Sequence, residues 1–270
     1  MTASFGNRVL GRTGLVAGPL GMSASYGMPA AAMEMAFERG MNYFYWGSFR
    51  REGFAEGLRN LRRQRERMIV VAQSYSRVAG LMGWNLERAL RRVGFDYADV
   101  LLLGYWSGPV SGRVLDGARE LQRKGRVRYL AVSSHNFGMV GQWAEEGAFD
   151  VLHFRYNAVA RAAETEIFPR VAQVDGPGMV AYTATSWKQL LHPDHVAAGD
   201  RVPTAADCYR FVLTHPGVGV CMTGTGSVEQ TRHALEAVEK GPLSGEEMAW
   251  MRRTGDRISG KPLLLPLNVR

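Results

Sequence analysis

The chain reads as an α/β protein, a (β/α)8 TIM barrel of eight strand and helix units preceded by a short N-terminal β-hairpin. Two observations lead there. Short β-rich apolar runs alternate with helical patterns nearly from end to end, the cadence of buried parallel strands covered by helices. The repeat is about 30 residues long, and 270 residues is close to the ~250 usual for one such barrel.

A turn-rich segment opens the chain and predicts the hairpin. Strands follow at residues 20–23, 42–45, 68–73, 99–103, 127–133, 151–155, 179–183 and 218–222. Between them lie helices. Leu86, Ala89, Leu90 and Val93 recur at helical spacing, as do Leu115, Ala118 and Leu121. Ser227 followed by Gln230, and Ser244 followed by Glu247, each fit a capping box, in which a hydroxyl and a side-chain carbonyl satisfy two backbone donors. Thr204 before Ala205, Ala206 and Asp207 is a weaker version, and His215, Pro216 and Gly217 stop that helix. No Gly/Ser-rich linker divides the chain, so residues 1–270 are expected to form one domain.

Composition fits a folded, soluble protein. Hydrophobic residues make up 46% and charged residues 21%. No apolar run approaches the roughly 18 residues needed to cross a bilayer, and no secretory signal opens the chain, so a cytoplasmic protein without a membrane partner is expected. Cys208 and Cys221 lack metal-site spacing and read as reduced, buried thiols. The net charge of +8 raises a nucleic-acid role, which needs basic residues gathered on one face. The densest run, Arg59, Arg62, Arg63, Arg65 and Arg67, precedes a strand on the side away from the strand tips, and reads instead as a solvated surface. In such a barrel the chemistry sits at the C-terminal tips of the strands.

Five segments carry a family resemblance. They are Gly11-Arg12-Thr13-Gly14-Leu15 with Gly18-Pro19-Leu20-Gly21-Met22, Gly40-Met41-Asn42-Tyr43-Phe44, Phe95-Asp96-Tyr97-Ala98-Asp99-Val100, Gly125 through Ser133, and Gly224 through Gln230. In this order and spacing the chain resembles an aldo/keto reductase over nearly its whole length. The resemblance implies the barrel, NADP(H) as cofactor and hydride transfer to a carbonyl. It also implies a tyrosine proton donor tuned by a lysine that is paired with an aspartate, and a histidine that orients the carbonyl. A phenol, with an ordinary pKa near 10, is a poor acid at neutral pH until a neighbouring cation lowers it.

Carried over position by position, none of the four groups is present. The aspartate position holds Tyr45, followed by Trp46 and Gly47; the tyrosine position holds Arg50, or Phe49 if the loop has slipped by one. The lysine position holds Gln73 and the histidine position holds Gly104. Each of the last two directly follows a well-matched strand, where a one-residue slip would turn the side chains to the opposite face. Losing a positioned general acid typically costs about 10² to 10⁴ in rate.

The cofactor side matches better. The resemblance assigns Ser133 and Ser134, in the turn Ser133-Ser134-His135-Asn136, to the nicotinamide carboxamide, Tyr182 to stacking on the nicotinamide ring, and His153 to the place of a glutamine beside the carboxamide. Gly224, Thr225, Ser227 and Gln230 form a glycine turn opening a helix after the eighth strand, where backbone donors and the helix dipole can hold a phosphate. Arg232 is the nearest candidate for a 2′-phosphate.

Substitute chemistry is sought at the strand tips: Tyr45, Tyr105 and His135 as candidate catalytic groups, with Tyr75, Arg155 and Tyr156 nearby and Lys124 and Lys188 as possible cations. Trp46, Trp106 and Trp187 predict an aromatic cleft for a flat or ring-bearing ligand. Two readings stay open. The first is an NADP(H)-dependent oxidoreductase with a rebuilt acid. The second, slightly preferred, is a relative that keeps the scaffold for ligand binding or non-redox chemistry, since nothing replaces the lysine at the end of the third strand.

Overall fold

The computed structural model describes residues 4–259. Strands β1 (Arg8–Val9) and β2 (Val16–Ala17) pair antiparallel as the expected hairpin. Eight parallel strands then close a barrel: β3 (Leu20–Ser23), β4 (Tyr43–Trp46), β5 (Ile69–Gln73), β6 (Ala98–Tyr105), β7 (Val127–Ser134), β8 (Val151–Arg155), β9 (Gly178–Tyr182) and β10 (Val220–Thr223). Each pairs with its sequence neighbour, and β10 returns to β3. Full closure leaves the barrel no exposed sheet edge.

The outer layer comprises α1 (Ala30–Glu38), α2 (Glu52–Asn60), α3 (Ala79–Val93), α4 (Gly112–Arg123), α5 (Phe137–Glu146), the single turn α6 (Ala163–Glu166), α7 (Ala205–Thr214), α8 (Val228–Lys240) and α9 (Gly245–Ile258). The face read from spacing in α3 is the buried one: Leu86, Ala89, Leu90 and Val93 all pack inward. The cap at Ser244 and Glu247 is a complete capping box. So is Thr204 with Asp207, which the sequence marked only weakly. At Ser227 only half of the box forms, because the Gln230 carboxamide oxygen accepts from the Gly226 N–H instead. Cys208 and Cys221 are buried and unlinked. No helix among the described residues is long and apolar enough to cross a membrane.

Alternation along the strands sorts side chains into two cores. Val70, Ala72, Leu101, Leu103 and Phe154 point outward to the helices. Tyr43, Ile69, Val71, Val100, Leu102, Ala131, Val151 and Val180 fill the barrel. The hairpin closes the N-terminal end of that interior. Leu10 and Ala17 belong to the same cluster, and a Cβ on Gly178, at the start of β9, would lie 2.4 Å from the Leu10 side chain.

The basic run divides in the structure. Residues Arg62–Arg67 form a 3-10 segment ahead of β5, and Arg65 turns inward to an ion pair with buried Asp99 at 2.8 Å, its guanidinium 4.1 Å from the Tyr97 ring centre. Asp99 also accepts from the Val70 N–H at 2.8 Å, so this arginine stitches two barrel strands rather than facing solvent.

Candidate functional site

The tips of the interior-facing rows converge at the mouth: Tyr45 from β4, Gln73 from β5, Ser133 from β7, Arg155 from β8 and Tyr182 from β9. Gln73 continues the Ile69 and Val71 row and is 6% exposed. Its Oε1 is buried without a hydrogen-bond partner among the described residues. The group at this strand end is neutral.

The sixth strand departs from the sequence expectation in register. Leu102 pairs with Ala131, but Tyr105, three positions on, pairs with Ser133 only two positions on, so β6 carries one extra residue. Gly104 occupies the bulge with φ +75, a left-handed conformation that glycine takes without strain. A Cβ there would sit 3.0 Å from the Ser74 carbonyl oxygen and 3.4 Å from Gln73 Nε2. A one-residue slip, which strand alternation alone disfavours, is supplied here by the bulge. Tyr105 thus stands level with inward-facing Ser133.

Tyr105, 41% exposed, meets the His135 ring edge-on with ring centres 4.9 Å apart, and His135 lies 5.8 Å from Tyr182. The Tyr182 hydroxyl donates to the Ser134 carbonyl at 3.0 Å. Burial raises the Tyr182 pKa, against the pull of the Ser133 hydroxyl and the Arg155 charge. The His135 pKa is lowered, by burial first and then by the Arg155 charge. Tyr45 folds back over Gly47, where any Cβ would fall 2.5 Å from its ring. Burial first, and the Tyr75 hydroxyl next, push the Tyr45 phenol well above its ordinary range. The side chains that raise it most are tyrosines, Tyr75 foremost and then Tyr182 and Tyr43.

Other sequence candidates lie elsewhere. His153 is 3% exposed inside the barrel, its Nε2 2.8 Å from the Tyr43 hydroxyl, and burial holds its pKa down to about 3. It sits below the mouth, bonded to the barrel interior. Trp46 is fully buried in the outer core against Phe49, so it does not wall the cleft. Arg50 is exposed on the loop after β4. Tyr156 is buried and donates to Glu164. Lys124 pairs with Glu120 on the surface. Trp187 does reach the mouth, packed 5.6 Å from the Arg155 guanidinium, and Trp106 lies 3.4 Å from that of Arg77.

Ser134 is engaged in its own turn, donating to the Trp106 carbonyl at 2.6 Å and accepting from the Asn136 N–H at 3.0 Å. The glycine turn after β10 is also largely self-satisfied. Gly226 N–H donates to Gln230 Oε1 at 2.8 Å, Gln230 N–H to Ser227 Oγ at 3.1 Å, and the Thr225 and Thr231 hydroxyls meet at 3.0 Å. Tyr26 packs on both glycines: a Cβ at Gly224 would lie 2.8 Å from its ring and one at Gly226 2.7 Å from its carbonyl oxygen. Arg232 is tied to Glu229 in the first turn of α8.

The aldo/keto reductase family model matches residues 23–191, more than half of the chain and most of the barrel strands. The chain belongs to the aldo/keto reductase family. Solved family structures share its fold. It superposes with TM-score 0.74 on an aldo-keto reductase from Bacillus halodurans in its holo form, at 18% identity over 92% of this chain and 95% of that one. It superposes with TM-score 0.70 on one from Klebsiella pneumoniae in complex with NADPH, at 20% identity over 94% and 95%. A Klebsiella pneumoniae structure with NADP and acetate gives 0.69 at 21% identity over 91% and 94%.

Within this aldo/keto reductase barrel, Arg155 is what the sequence reading underused. It lies one alternation beyond His153, on the inward row, and a charge at the last residue of an apolar strand was the available signal.

Proposed function

We propose that this aldo/keto reductase family member binds NADP(H) and a small aromatic or cyclic molecule at the barrel mouth without the family's proton delivery to a carbonyl. The carrying observation is Tyr45: this half-buried phenol at the mouth lies on the strand next to the one that ends in neutral Gln73, and its pKa rises instead of falling. A neutral phenol held above its ordinary pKa is a weaker acid than one in water, and the ~10² to 10⁴ contributed by a tuned donor is forgone. The reading keeps the chain a one-domain, cytoplasmic protein of small-molecule partners.

The cofactor half rests on one end of the site. The half-buried Tyr182 ring offers a nicotinamide a flat wall, with the Ser133 hydroxyl beside it. At the turn after β10, where a phosphate is expected, Arg232 is already paired with Glu229, so grip on a 2′-phosphate is weak. When bound, NADPH would supply a hydride; the residues around it supply wall and orientation.

Titrating NADPH against intrinsic tryptophan fluorescence tests the binding half, with Trp187 at the mouth as reporter. A saturable quench is expected, followed by no cofactor oxidation on adding a panel of aldehydes and ketones. Steady oxidation would sink the proposal; no quench at millimolar NADPH would remove the cofactor. A second reading, reduction with Tyr105 as substitute donor, is favoured by the Tyr105 and His135 contact, and predicts turnover that Tyr105→Phe abolishes.

A further inference from the structure

Arg155 is one of two arginines at the mouth, the other being Arg77, which donates to the Tyr105 carbonyl at 2.6 Å. The Arg155 Nε is buried with no hydrogen-bond partner, and no carboxylate among the described residues pairs with it. By contrast, Arg65, Arg161, Arg201, Arg210 and Arg252 each reach an Asp or Glu. A buried donor such as this Nε left without an acceptor is costly and calls for an explanation.

The loop that follows β9 holds Arg155 in place. Thr183, Ser186, Trp187 and Lys188 all have positive φ, between 49° and 70°, in a non-glycine stretch. Strain of this kind persists only when the surrounding structure over-determines it. Here it sets the Trp187 ring 5.6 Å from the guanidinium carbon, while Tyr182 is level with Arg155 in the neighbouring strand. A planar five-donor fork thus opens between aromatic walls, the geometry that takes a carboxylate bidentately.

We propose that Arg155 anchors the ligand of this site through a carboxylate, selecting planar aromatic or cyclic acids whose ring packs beside Trp187 and His135. This deepens the proposed small-molecule function and rests on it. Two donors reaching two carboxylate oxygens give orientation as well as affinity, so a neutral isostere of the same shape is rejected.

The test uses 2-naphthoate and 2-naphthamide as probes, titrated calorimetrically into the full-length protein. The acid is expected to bind roughly tenfold or more tighter than the amide, the yield of a charge-assisted hydrogen bond. In Arg155→Gln that preference disappears, and in Arg155→Lys, a point charge without the fork, it shrinks. Far-UV circular dichroism checks folding of each variant; the acid and amide comparison in the wild type stands even if a variant fails to fold. Equal affinity of acid and amide, no binding of either, or a preference that survives Arg155→Gln would overturn the proposal. So would NADPH competing with 2-naphthoate while Arg155→Gln weakens NADPH more than the acid, since the guanidinium would then serve the cofactor's diphosphate. NADPH oxidation with aldehydes would refute the binding-protein reading while leaving the anchor standing.

Discussion

Lowering the pH from 7 to 5 should destabilise this barrel through one buried imidazole. His153 is enclosed in the interior, bonded to Tyr43, and burial depresses its pKa from an ordinary 6.5 to about 3. In the unfolded chain it titrates normally, so between these values the unfolded state binds more protons than the folded one. Stability from this group is therefore fully present above about 6.5 and lost as pH falls toward 3. Each pH unit inside that window costs about 1.4 kcal/mol, and the fall to pH 5 about 2 kcal/mol. Urea denaturation at pH 7, 6 and 5, run on the wild type and on His153→Gln, measures it. Glutamine can still accept from the Tyr43 hydroxyl and cannot titrate. The depressed pKa values of His135 and His215 act in the same direction in both proteins, so the difference between the two curves isolates His153. If the variant loses stability in parallel with the wild type, the imidazole is not the source and the reasoning fails.

Gly104→His should lower the melting temperature, because a left-handed Cβ costs about 1–2 kcal/mol and meets the Ser74 carbonyl at 3.0 Å. An unchanged melting curve would show that the bulge is not held. Gln73→Met should leave stability within about 1 kcal/mol, since the Gln73 Oε1 has no partner to lose; a larger loss in denaturant titration would mean the carbonyl is satisfied. Arg210→Met should cost about 3 kcal/mol, because that buried guanidinium bonds Glu247 at 2.8 Å and the Gly241 carbonyl at 2.8 Å, joining α7 to the segment ahead of α9. A thermal melt matching the wild type would refute it.

Barrel strands were legible because β-rich runs separated by amphipathic helices leave a period that survives without any tertiary knowledge. Residues 20–23 and 151–155 match β3 and β8 to the residue. The clearest misplacement is at β10, which begins at Val220 rather than residue 218, as the turn after His215 continues to Val218, whose N–H donates to the His215 carbonyl. The inward direction of Gln73 was equally readable, since it continues the alternation of Ile69 and Val71. Trp46 was not: a residue at a strand tip faces the mouth or the helices according to phase, and its phase is that of Phe44, outward.

Local pattern decides which segments pair with water and which with one another, because hydrophobic spacing acts within a few residues; that was enough for the cylinder, its hairpin plug and the neutral strand end at Gln73. The bulge that turns Tyr105 inward, the Tyr43 and His153 bond across 110 residues of chain, and the unpartnered Nε of Arg155 arise only when distant strands close on each other. They depend on register and burial, which are properties of the assembled barrel and of no single stretch of residues.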